Sequence, residues 1–538
     1  MTPESTTVKP PSSRPVLGID LGTTNTCVAI VDDDPAGRVL PNADGELTTP
    51  SVVLFGDDGT AVVGKGAVAE LERDPGRVVT LIKRQMSSDK YTIEAGGRRW
   101  YPRQVSAVIL RKVVEDALAH LGHTVPVKGP VNGPAEEPIA DVVITVPAYF
   151  GSAERTATVE AGRLAGLNVM GIINEPTAAA IAHGLRSPAG GRTVLVYDLG
   201  GGTFDVTVVR MLPTEMQVVA TGGDAHLGGA DWDRRLAKLV LDKLGETDPD
   251  ADPRTDARLM ARLILQVEAV KIALSDRTIV RFRVRTPHGP SDWITVSREE
   301  YDEATEHLLD RTIDFTRDLL NKARRKGVTM IDDVLLVGGM TRSPAVARRI
   351  AAAFPELPVP RPPGDAEHIV ARGAARDAAR RARSLAHDDL GADIASVVNV
   401  TSRGYGVVVV RDFDRPGNGK RLVWMIEPDT EVPTKHHDVL HTVCDDQRRM
   451  AIQVYESTTD ILTEHVEDHI RLVDGDLVGL PAGRPRGYEV ELDFELGMDG
   501  ILRIRARAAN GATLQLDARI SGEVPPEDMD WSLPGKIR

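Results

Sequence analysis

Short apolar runs alternate with longer amphipathic stretches over the first two thirds of the chain. Runs such as those at 16–20 and 193–199 are almost continuously apolar, which is typical of strands buried on both faces of a sheet. Between such runs, residues 105–122 and 257–274 repeat their apolar positions at helical spacing. The alternation predicts an α/β architecture over residues 16–387.

The pattern changes near residue 395, where the helical spacing stops. Apolar and polar residues then alternate in short segments, such as 450–456, that are separated by glycine-rich turns. This pattern predicts an antiparallel all-β domain at 403–520, joined to the α/β domain by a linker at 388–402. The remaining segments are predicted to be tails, a disordered one at 1–15 and a polar one at 521–538.

Composition narrows the classes of partner. The 538 residues include 65 Lys and Arg against 79 Asp and Glu, and the formal net charge of −14 disfavours binding to nucleic acid or to an anionic membrane surface. The two cysteines, Cys27 and Cys444, are too few for a disulfide framework, so we expect a reducing, cytoplasmic location. No apolar run reaches the length of about 18 residues that predicts a membrane span. We therefore expect neither nucleic acid nor membrane as a partner.

The strongest candidate chemistry lies in a repeated segment. The sequences IDLGTTNTCVAI (19–30) and YDLGGGTFDVTVV (197–209) share Asp-Leu-Gly, then small and hydroxyl residues, then a second apolar run. Each predicts a strand, a tight turn and a strand, and the backbone N–H groups and threonine hydroxyls of such turns can bind phosphate oxygens. Asp20 and Asp198 end the first strands and provide the oxygen atoms that hydrated Mg²⁺ prefers. Two such turns facing each other predict a site for a polyphosphate and its metal ion.

A plainer interpretation is that both segments are β-hairpins whose Asp and Gly residues only serve turn geometry. The segment VLLVGGMTRSPAVARRI (334–350) argues against it, because a double glycine again precedes a helix start that favours negative charge. A P-loop-like match at 59–66 lacks the required Ser or Thr. His226 and the histidines at 436–441 lack catalytic or metal-site spacing, so we interpret them as structural or solvated residues.

These segments and their neighbours resemble the heat-shock protein 70 (Hsp70) chaperone family. The matching blocks are, in order, GIDLGTTNTCVAIV, DVVITVPAYFGSAERTAT, GIINEPTAAAIAHGL, VYDLGGGTFDVTVV, GGDAHLGGADWD and VLLVGGMTRSPAV. They extend over 16–385, and EVPTKHHDVLHTV, AIQVYE and FELGMDGILRIRA resemble the family's peptide-binding β-sandwich. The resemblance implies an α/β, actin-like (ribonuclease H-like) two-lobed ATPase domain followed by an all-β sandwich domain. It also implies ATP or ADP with Mg²⁺ as cofactors, and K⁺ as a further candidate ion.

The resemblance implies a role for each matching residue of the nucleotide site. The positions that match phosphate-binding residues are Asp20, Gly22, Thr23, Thr24, Asn25, Gly200, Gly201, Gly202 and Thr203. The implied metal-organising residues, acting mainly through water, are Asp20 and Asp198. The implied catalytic residues are Lys83, Glu175, Asp198, Thr203 and Asp205. The implied adenosine contacts are Glu268, Lys271, Ser275, Gly338, Gly339 and Arg342. Pro147 and Arg155 match a proline–arginine relay toward the second domain.

Three positions depart from the family pattern. Ile272 and Met340 stand where the family usually has an arginine and a serine, so the cation–π contact with adenine, which contributes about 0.5–1 kcal/mol or more, is lost. Asn399 replaces the usual aspartate of the linker, which puts the coupling between the two domains in question.

The resemblance also implies a peptide groove in the β-domain. The matching positions are Val407, Val409, Val410, Leu440, Val443, Met450 and Ile452. An extended apolar segment would bind there as if added to a sheet. The plainer alternative, that these are ordinary sandwich-core residues at a period of two, stays open for each position. The segment after residue 520 is too short for the family's helical lid, so we expect rapid peptide release.

We therefore expect an Hsp70-like chaperone that hydrolyses ATP to control its binding to extended apolar segments of unfolded clients. J-domain and nucleotide-exchange co-chaperones are candidate partners. The alternative is a nucleotide-dependent scaffold or regulatory protein with weak ATPase activity and one dedicated protein partner, which the altered linker and adenine pocket favour. A sugar kinase is a third class, and the all-β second domain argues against it because it provides no sugar-binding helices.

Overall fold

The computed structural model describes residues 14–32, 34–88, 90–95, 97–123, 137–184, 191–212, 215–248, 250–361, 366–385, 396–410, 419–459, 461–517, 532–534 and 536–538. These residues form a mixed α/β structure with two six-stranded sheets and, beyond residue 404, two four-stranded sheets. Most of the predicted tails, and the linker up to residue 395, lie outside the described residues.

The first six-stranded sheet is built around the first copy of the repeat. The strands of this region are β1 Val16–Leu21, β2 Asn25–Ile30, β3 Arg38–Leu40, β4 Thr49–Pro50, β5 Val53–Phe55, β6 Thr60–Val63, β7 Val78–Val79, β8 Ile93–Ala95, β9 Arg98–Trp100, β10 Asp141–Val146 and β11 Asn168–Asn174. The order across the sheet is β11-β10-β1-β2-β3, and β4 also pairs with β2. Since β1 runs antiparallel to β2 and parallel to β10, the end of β1 that carries Asp20 lies beside Thr145 of β10.

The second six-stranded sheet is built around the second copy of the repeat. The strands of this region are β12 Arg192–Leu199, β13 Phe204–Met211, β14 Glu215–Asp224, β15 Ile279–Phe282, β16 Arg285–Thr286, β17 Gly289–Pro290, β18 Ile294–Ser297 and β19 Asp333–Val337. Strand β12 is antiparallel to β13 and parallel to β19, just as β1 is antiparallel to β2 and parallel to β10. The repeated sequence therefore folds into a repeated topology.

Helices cover these sheets. They are α1 Lys65–Glu70, α2 Pro102–His120, α3 Ser152–Leu164, α4 Glu175–His183, α5 Gly229–Thr247, α6 Ala257–Asp276, α7 Arg298–Arg325, α8 Pro344–Ala353 and α9 Ile369–Leu385. The helical patterns at 105–122 and 257–274 form α2 and α6. Helix α7 begins with a capping box, in which the Ser297 hydroxyl accepts from Glu300 N at 3.1 Å and Ser297 N donates to Glu300 Oε2 at 2.8 Å. Over the described part of the chain, no helix combines the length and apolar character that crossing a bilayer requires.

The residues beyond 395 form mainly strands. They are β20 Ser396–Val400, β21 Tyr405–Val410, β22 Lys420–Ile426, β23 Glu431–Val432, β24 Thr434–His441, β25 Arg449–Glu456, β26 Ile470–Val478, β27 Glu489–Leu496, β28 Leu502–Ala508, β29 Thr513–Asp517 and β30 Lys536–Ile537. Two antiparallel sheets, in the orders β22-β21-β25-β26 and β24-β27-β28-β29, enclose a common apolar core. Every second residue of β27, from Val490 to Leu496, is buried in that core, as the alternating sequence pattern predicts.

Six of the seven positions matched to the peptide groove lie on strands of these two sheets, and Val443 lies in the loop after β24. Val407 and Ile452 are fully buried and Met450 is nearly so, within the core of the sandwich. Val409 and Leu440 are partly buried against that core. The first three therefore have the environment of core residues, and the groove assignment stays a prediction.

Two strand pairings connect distant parts of the chain. Strand β20, in the described part of the expected linker, pairs in parallel with β14 and antiparallel with β23, so it extends the second six-stranded sheet. Strand β30, in the segment where the sequence predicts only a polar tail, pairs in parallel with β6. Both pairings use backbone groups, which carry no local sequence signal.

Candidate functional site

The two repeated turns lie directly against each other. A Cβ atom added to Gly202 would lie 2.2 Å from Cγ2 of Thr23, and one added to Gly201 would lie 2.4 Å from the side chain of Thr24. Only glycine allows this approach, because real Cβ contacts are not that short. The structure therefore brings together the phosphate-binding positions that the sequence predicts on both turns.

Four carboxylates surround the point where the turns meet. Thr145 donates its hydroxyl to Asp20 Oδ1 at 3.0 Å, and Tyr149 donates its backbone N–H to Asp205 Oδ1 at 3.0 Å. Asp198 and Asp205 are register partners on β12 and β13. Glu175 begins α4, and its Oε1 atom lies 2.5 Å from the buried ammonium of Lys83.

Burial and the charges of neighbouring carboxylates raise the pKa of the three aspartates of this site. The pKa of Asp20 is raised to about 7, first by burial and then by the charge of Glu175, while the charge of Lys83 opposes the shift. Burial and Glu175 likewise raise the pKa of Asp205 to about 7. The pKa of Asp198 is also raised, by burial first and then by Glu175, Asp205 and Asp20. Four carboxylates face a single lysine ammonium here, and the remaining negative potential favours the binding of a cation.

The site offers carboxylate oxygens, and none of the donors described above is a sulfur or imidazole group. Among the residues that the structure describes, no group of three His, Cys, Asp or Glu side chains is arranged to ligate a metal ion directly. Carboxylate oxygens suit Mg²⁺, which usually keeps several of its water ligands.

Arg84 and Asp231 belong to this site although the sequence analysis did not select them. Arg84 donates from Nε to the carbonyl of Gly202 at 2.8 Å and from Nη2 to Asp231 Oδ2 at 2.6 Å. Arg84 follows Lys83 on the short 3₁₀ helix Ile82–Gln85, so the two cations have different partners. The two adjacent basic residues of LIKRQM were the sequence signal that could have pointed to Arg84. The residues that Arg84 contacts are far away in the sequence, so the signal did not identify them.

The positions matched to adenosine contacts lie on α6 and after β19. Gly338 has φ of +86°, and a Cβ there would lie 2.4 Å from the Leu199 carbonyl and 2.8 Å from Asp198 Oδ1, so this turn requires glycine. Lys271 lies 2.8 Å from Asp233 Oδ1, whose pKa burial raises to about 6 against the opposing charge of Lys271. Glu268 and Ser275 are half-buried on the same helix, and Arg342 is exposed and paired with Glu367 at 2.7 Å.

Met340 and Ile272, the two residues that differ from the family pattern near the adenosine positions, have different environments. Met340 is buried and lies near Gly229, at the start of α5, where a Cβ would be 3.2 Å from Met340 Cγ. Ile272 is 60 % exposed on α6.

A polar junction joins this site to the β-sandwich. The Tyr149 hydroxyl donates to the carbonyl of Thr458 at 3.3 Å, and the Arg403 guanidinium lies 3.9 Å above the Tyr149 ring. Ser152 N donates to Glu456 Oε1 at 3.0 Å, and burial raises the pKa of Glu456, with a further contribution from Glu154. Both contacts connect the segment after β10 to the end of β25.

The matched relay residues lie at the same junction. Arg155 is buried and donates to the Phe150 carbonyl at 2.9 Å and to Asn174 Oδ1 at 2.8 Å. Its side chain also packs against Gly500 of the β-sandwich, where a Cβ would lie 2.9 Å from Arg155 Cδ. Pro147 accepts a backbone hydrogen bond from Phe150 at 3.1 Å, and Asn399 accepts from the Thr177 hydroxyl at 3.4 Å.

Comparison with known proteins gives one consistent result. The family model described as Hsp70 protein matches residues 16–523. The chaperone protein DnaK of Thermotoga maritima is 36% identical over 499 residues, which cover 91% of this chain and 78% of that protein. The chaperone protein DnaK of Halobacterium salinarum is 35% identical over 525 residues, which cover 95% of this chain and 77% of that protein.

Proposed function

This chain belongs to the Hsp70 family of ATP-hydrolysing chaperones, and we propose that its candidate site is the cleft between the two lobes of an actin-like ATPase domain. The observation that carries the proposal is the contact between the two repeated turns, with carboxylates on both sides. Each six-stranded sheet with its helices would form one lobe. The domains would be 16–387 for the ATPase, 388–402 for the linker and 403–520 for the β-sandwich.

The nucleotide would bind with its phosphates between the two turns. The hydroxyls of Thr23, Thr24 and Thr203 and the N–H groups of Gly201 and Gly202 would donate to phosphate oxygens, as the chemistry of glycine-rich turns favours, while the Gly200 N–H closes the turn by donating to the Thr203 carbonyl at 3.1 Å. Mg²⁺, when bound, would supply the positive charge that neutralises the phosphates and nearby carboxylates. Asp20 and Asp198 would hold it mainly through water. The adenosine would lie beside α6 and the turn at Gly338.

Lys83 and Thr203 would act directly on the reacting group. The charge of Lys83 already acts on Asp20, Asp198 and Asp205, so it is positioned to stabilise negative charge on the transferring phosphoryl group. Glu175 holds the Lys83 ammonium by a 2.5 Å contact, which would keep it aimed at the phosphates. Water would be the acceptor of the phosphoryl group.

The output of the cycle would be a change in peptide affinity of the β-sandwich. Extended apolar segments of client proteins would bind by strand addition. The junction made by Tyr149, Arg403 and Glu456 would transmit the nucleotide state. J-domain and nucleotide-exchange co-chaperones are the partners that we propose, and a cytoplasmic location remains a prediction.

Two substitutions test the catalytic assignment. We expect Lys83→Ala and Thr203→Ala to lower single-turnover ATP hydrolysis by about 100-fold or more, because each removes a group that stabilises the transition state. Thermal stabilisation by Mg·ATP should persist in both variants. Lys65→Ala, which removes an exposed lysine paired with Glu46, is the control. Hydrolysis at the wild-type rate in both variants would contradict the assignment.

Stimulation by peptides tests the output. We expect varied extended apolar peptides to accelerate ATP turnover in the wild-type protein. If none of them does, and one dedicated protein partner does, the scaffold interpretation replaces the proposed peptide cycle.

A further inference from the structure

An edge strand of a smaller sheet is occupied by the last described residues of the chain. Strands β5, β6 and β7 form a small antiparallel sheet, and β30 pairs with the outer edge of β6. Arg538 N donates to the Ala61 carbonyl at 2.8 Å, and Val63 N donates to the Arg538 carbonyl at 2.8 Å. Residues 536–538 therefore pair with this sheet through the same backbone groups that any extended segment could offer.

A side-chain anchor accompanies the backbone pairing. Leu533 is 8% exposed and joins the apolar core that contains Phe55 and Trp100. Arg98 donates to the Ser532 carbonyl at 2.6 Å and to its hydroxyl at 3.0 Å. The Arg98 guanidinium lies 4.2 Å over the Trp100 ring, and that ring stacks on Phe55 at 4.3 Å. The sheet thus offers a leucine pocket beside a fixed hydrogen-bond donor.

Charge favours a basic end of the bound segment. The turn between β5 and β6 carries Asp57 and Asp58, and the segment carries Lys536 and Arg538. The pKa of Asp58 is lowered mainly by its hydrogen bonds with Thr60, and the charge of Arg538 contributes in the same direction. Attraction between exposed charges of this kind contributes orientation more than affinity.

We propose that the outer edge of β6 is a second peptide-binding site, separate from the groove proposed in the β-sandwich. It takes extended segments with a Ser-Leu anchor followed by basic residues, and residues 532–538 are its tethered ligand. Backbone pairing supplies the affinity, and the leucine pocket with Arg98 supplies the preference.

The resident segment is covalently joined to the β-sandwich, so a free peptide can bind the β6 edge only after this segment has dissociated. The 14 residues 518–531, which lie outside the described residues, join the end of β29 to Ser532 and can span about 50 Å at most. A tethered ligand has an effective concentration on the order of millimolar, so it outcompetes micromolar peptide. A bound segment also covers an edge strand that would otherwise be open to pairing between molecules.

Peptide titration with the full chain tests the site. The probe is a fluorescent peptide with the sequence of residues 532–538, SLPGKIR, measured without nucleotide by anisotropy. We expect Leu533→Asp to release the resident segment and tighten peptide binding by about tenfold or more relative to wild type. A peptide with Asp in place of its leucine should not bind. Equal binding by the wild type and Leu533→Asp, or equal binding of both peptides, would overturn the proposal.

Arg98 provides the matched control pair. Adding Arg98→Ala to Leu533→Asp should abolish the gain, because the donor to Ser532 is lost. Adding Arg99→Ala should preserve it, because Arg99 is exposed and its side chain lies 3.5 Å from Glu94. The same loss in both double variants would overturn the assignment of Arg98. ATP hydrolysis, which depends on the separate cleft, should be unchanged, so failure here is distinguishable from failure of the proposed function.

A disulfide test examines the resident segment itself. Thr60 and Lys536 are register partners, so Thr60→Cys with Lys536→Cys in a Cys444→Ser background should form an intramolecular disulfide under mild oxidation. Failure to cross-link, or formation of covalent dimers instead, would overturn the assignment of residues 532–538 as the ligand of their own chain.

Discussion

Tyr149 donates its backbone N–H to Asp205 Oδ1 at 3.0 Å, and its ring lies under the guanidinium of Arg403 from the β-sandwich. One residue therefore contacts both a carboxylate of the proposed nucleotide site and the β-sandwich. This is a direct physical route by which a change around Asp205 can alter the junction.

Arg403→Lys should weaken that route. Lysine lacks the planar group that stacks on Tyr149 and donates to the Ser457 carbonyl at 3.1 Å, so about 1 kcal/mol of docking free energy should be lost. We expect basal hydrolysis to be retained and peptide stimulation to fall, as measured by steady-state ATPase assays. Arg421→Lys, at an exposed pair with Glu464, is the control. Equal stimulation in both variants would show that the stacking does not couple the domains.

Gly202→Ala should weaken nucleotide binding because its Cβ would collide with Thr23. Separating the two turns by the needed displacement should cost about 1–3 kcal/mol, which lowers Mg·ADP affinity by roughly tenfold or more. Gly200→Ala is the matched control, because its Cβ would meet nothing closer than 3.7 Å. Isothermal titration calorimetry that gives the same affinity for both variants would rule out the steric argument.

Arg84→Ala should accelerate ADP release. The substitution removes charge-assisted bonds to the Gly202 carbonyl and to Asp231 that join the two sides of the cleft, and these are worth about 2–3 kcal/mol together. We expect stopped-flow release of a fluorescent ADP to be at least roughly tenfold faster than in wild type. Arg73→Ala removes an exposed arginine paired with Glu70 and should leave the rate unchanged. An unchanged rate in Arg84→Ala would exclude the bridge as a restraint on the cleft.

Ile272→Arg should slow ADP release and tighten nucleotide binding. The guanidinium would restore a contact with the adenine face, worth about 0.5–2 kcal/mol, at a position that is 60 % exposed and has room for it. Ile279→Arg, at a residue 56 % exposed on β15, controls for the added charge. If both variants change the release rate equally, the effect is general electrostatics rather than stacking on the base.

The stability of the nucleotide-free protein should fall as the pH rises from about 4 to about 7. Asp20 and Asp205 have a folded-state pKa of about 7 against an ordinary value of 3.8, so in this window the folded state keeps protons that the unfolded state has released. Their contribution is fully present below the ordinary pKa and is lost as the pH passes the folded value. Urea unfolding at a series of pH values measures it.

Removal of the two charges should flatten that dependence. We expect Asp20→Asn with Asp205→Asn to show a smaller loss of unfolding free energy over the same pH range, whereas the exposed Asp57→Asn should match wild type. A wild-type slope in the double variant would mean that other groups carry the pH dependence.

Local patterns along the chain were enough to predict the kinds of element, the repeated hairpins and the family. These depend on local patterns, such as the alternation that buries Val490 to Leu496 and the Asp-Leu-Gly segments that end β1 and β12. We selected Lys83, Glu175 and Asp205 because the contiguous motifs that contain them resemble those of the family. Such patterns predict strands and turns because the backbone conformation of these elements depends mainly on residues that are neighbours in the sequence.

The contacts between residues that are far apart in the sequence could be seen only in the folded structure. Lys83 and Glu175 are 92 residues apart, Arg84 and Gly202 are 118 apart, and Ser152 and Glu456 are 304 apart. The pairing of β30 with β6 uses backbone N–H and carbonyl groups that every segment possesses. The side-chain pattern therefore could not predict it. The raised pKa values of the aspartates likewise arise from burial and from charges brought together by packing, and both exist only once the chain has folded.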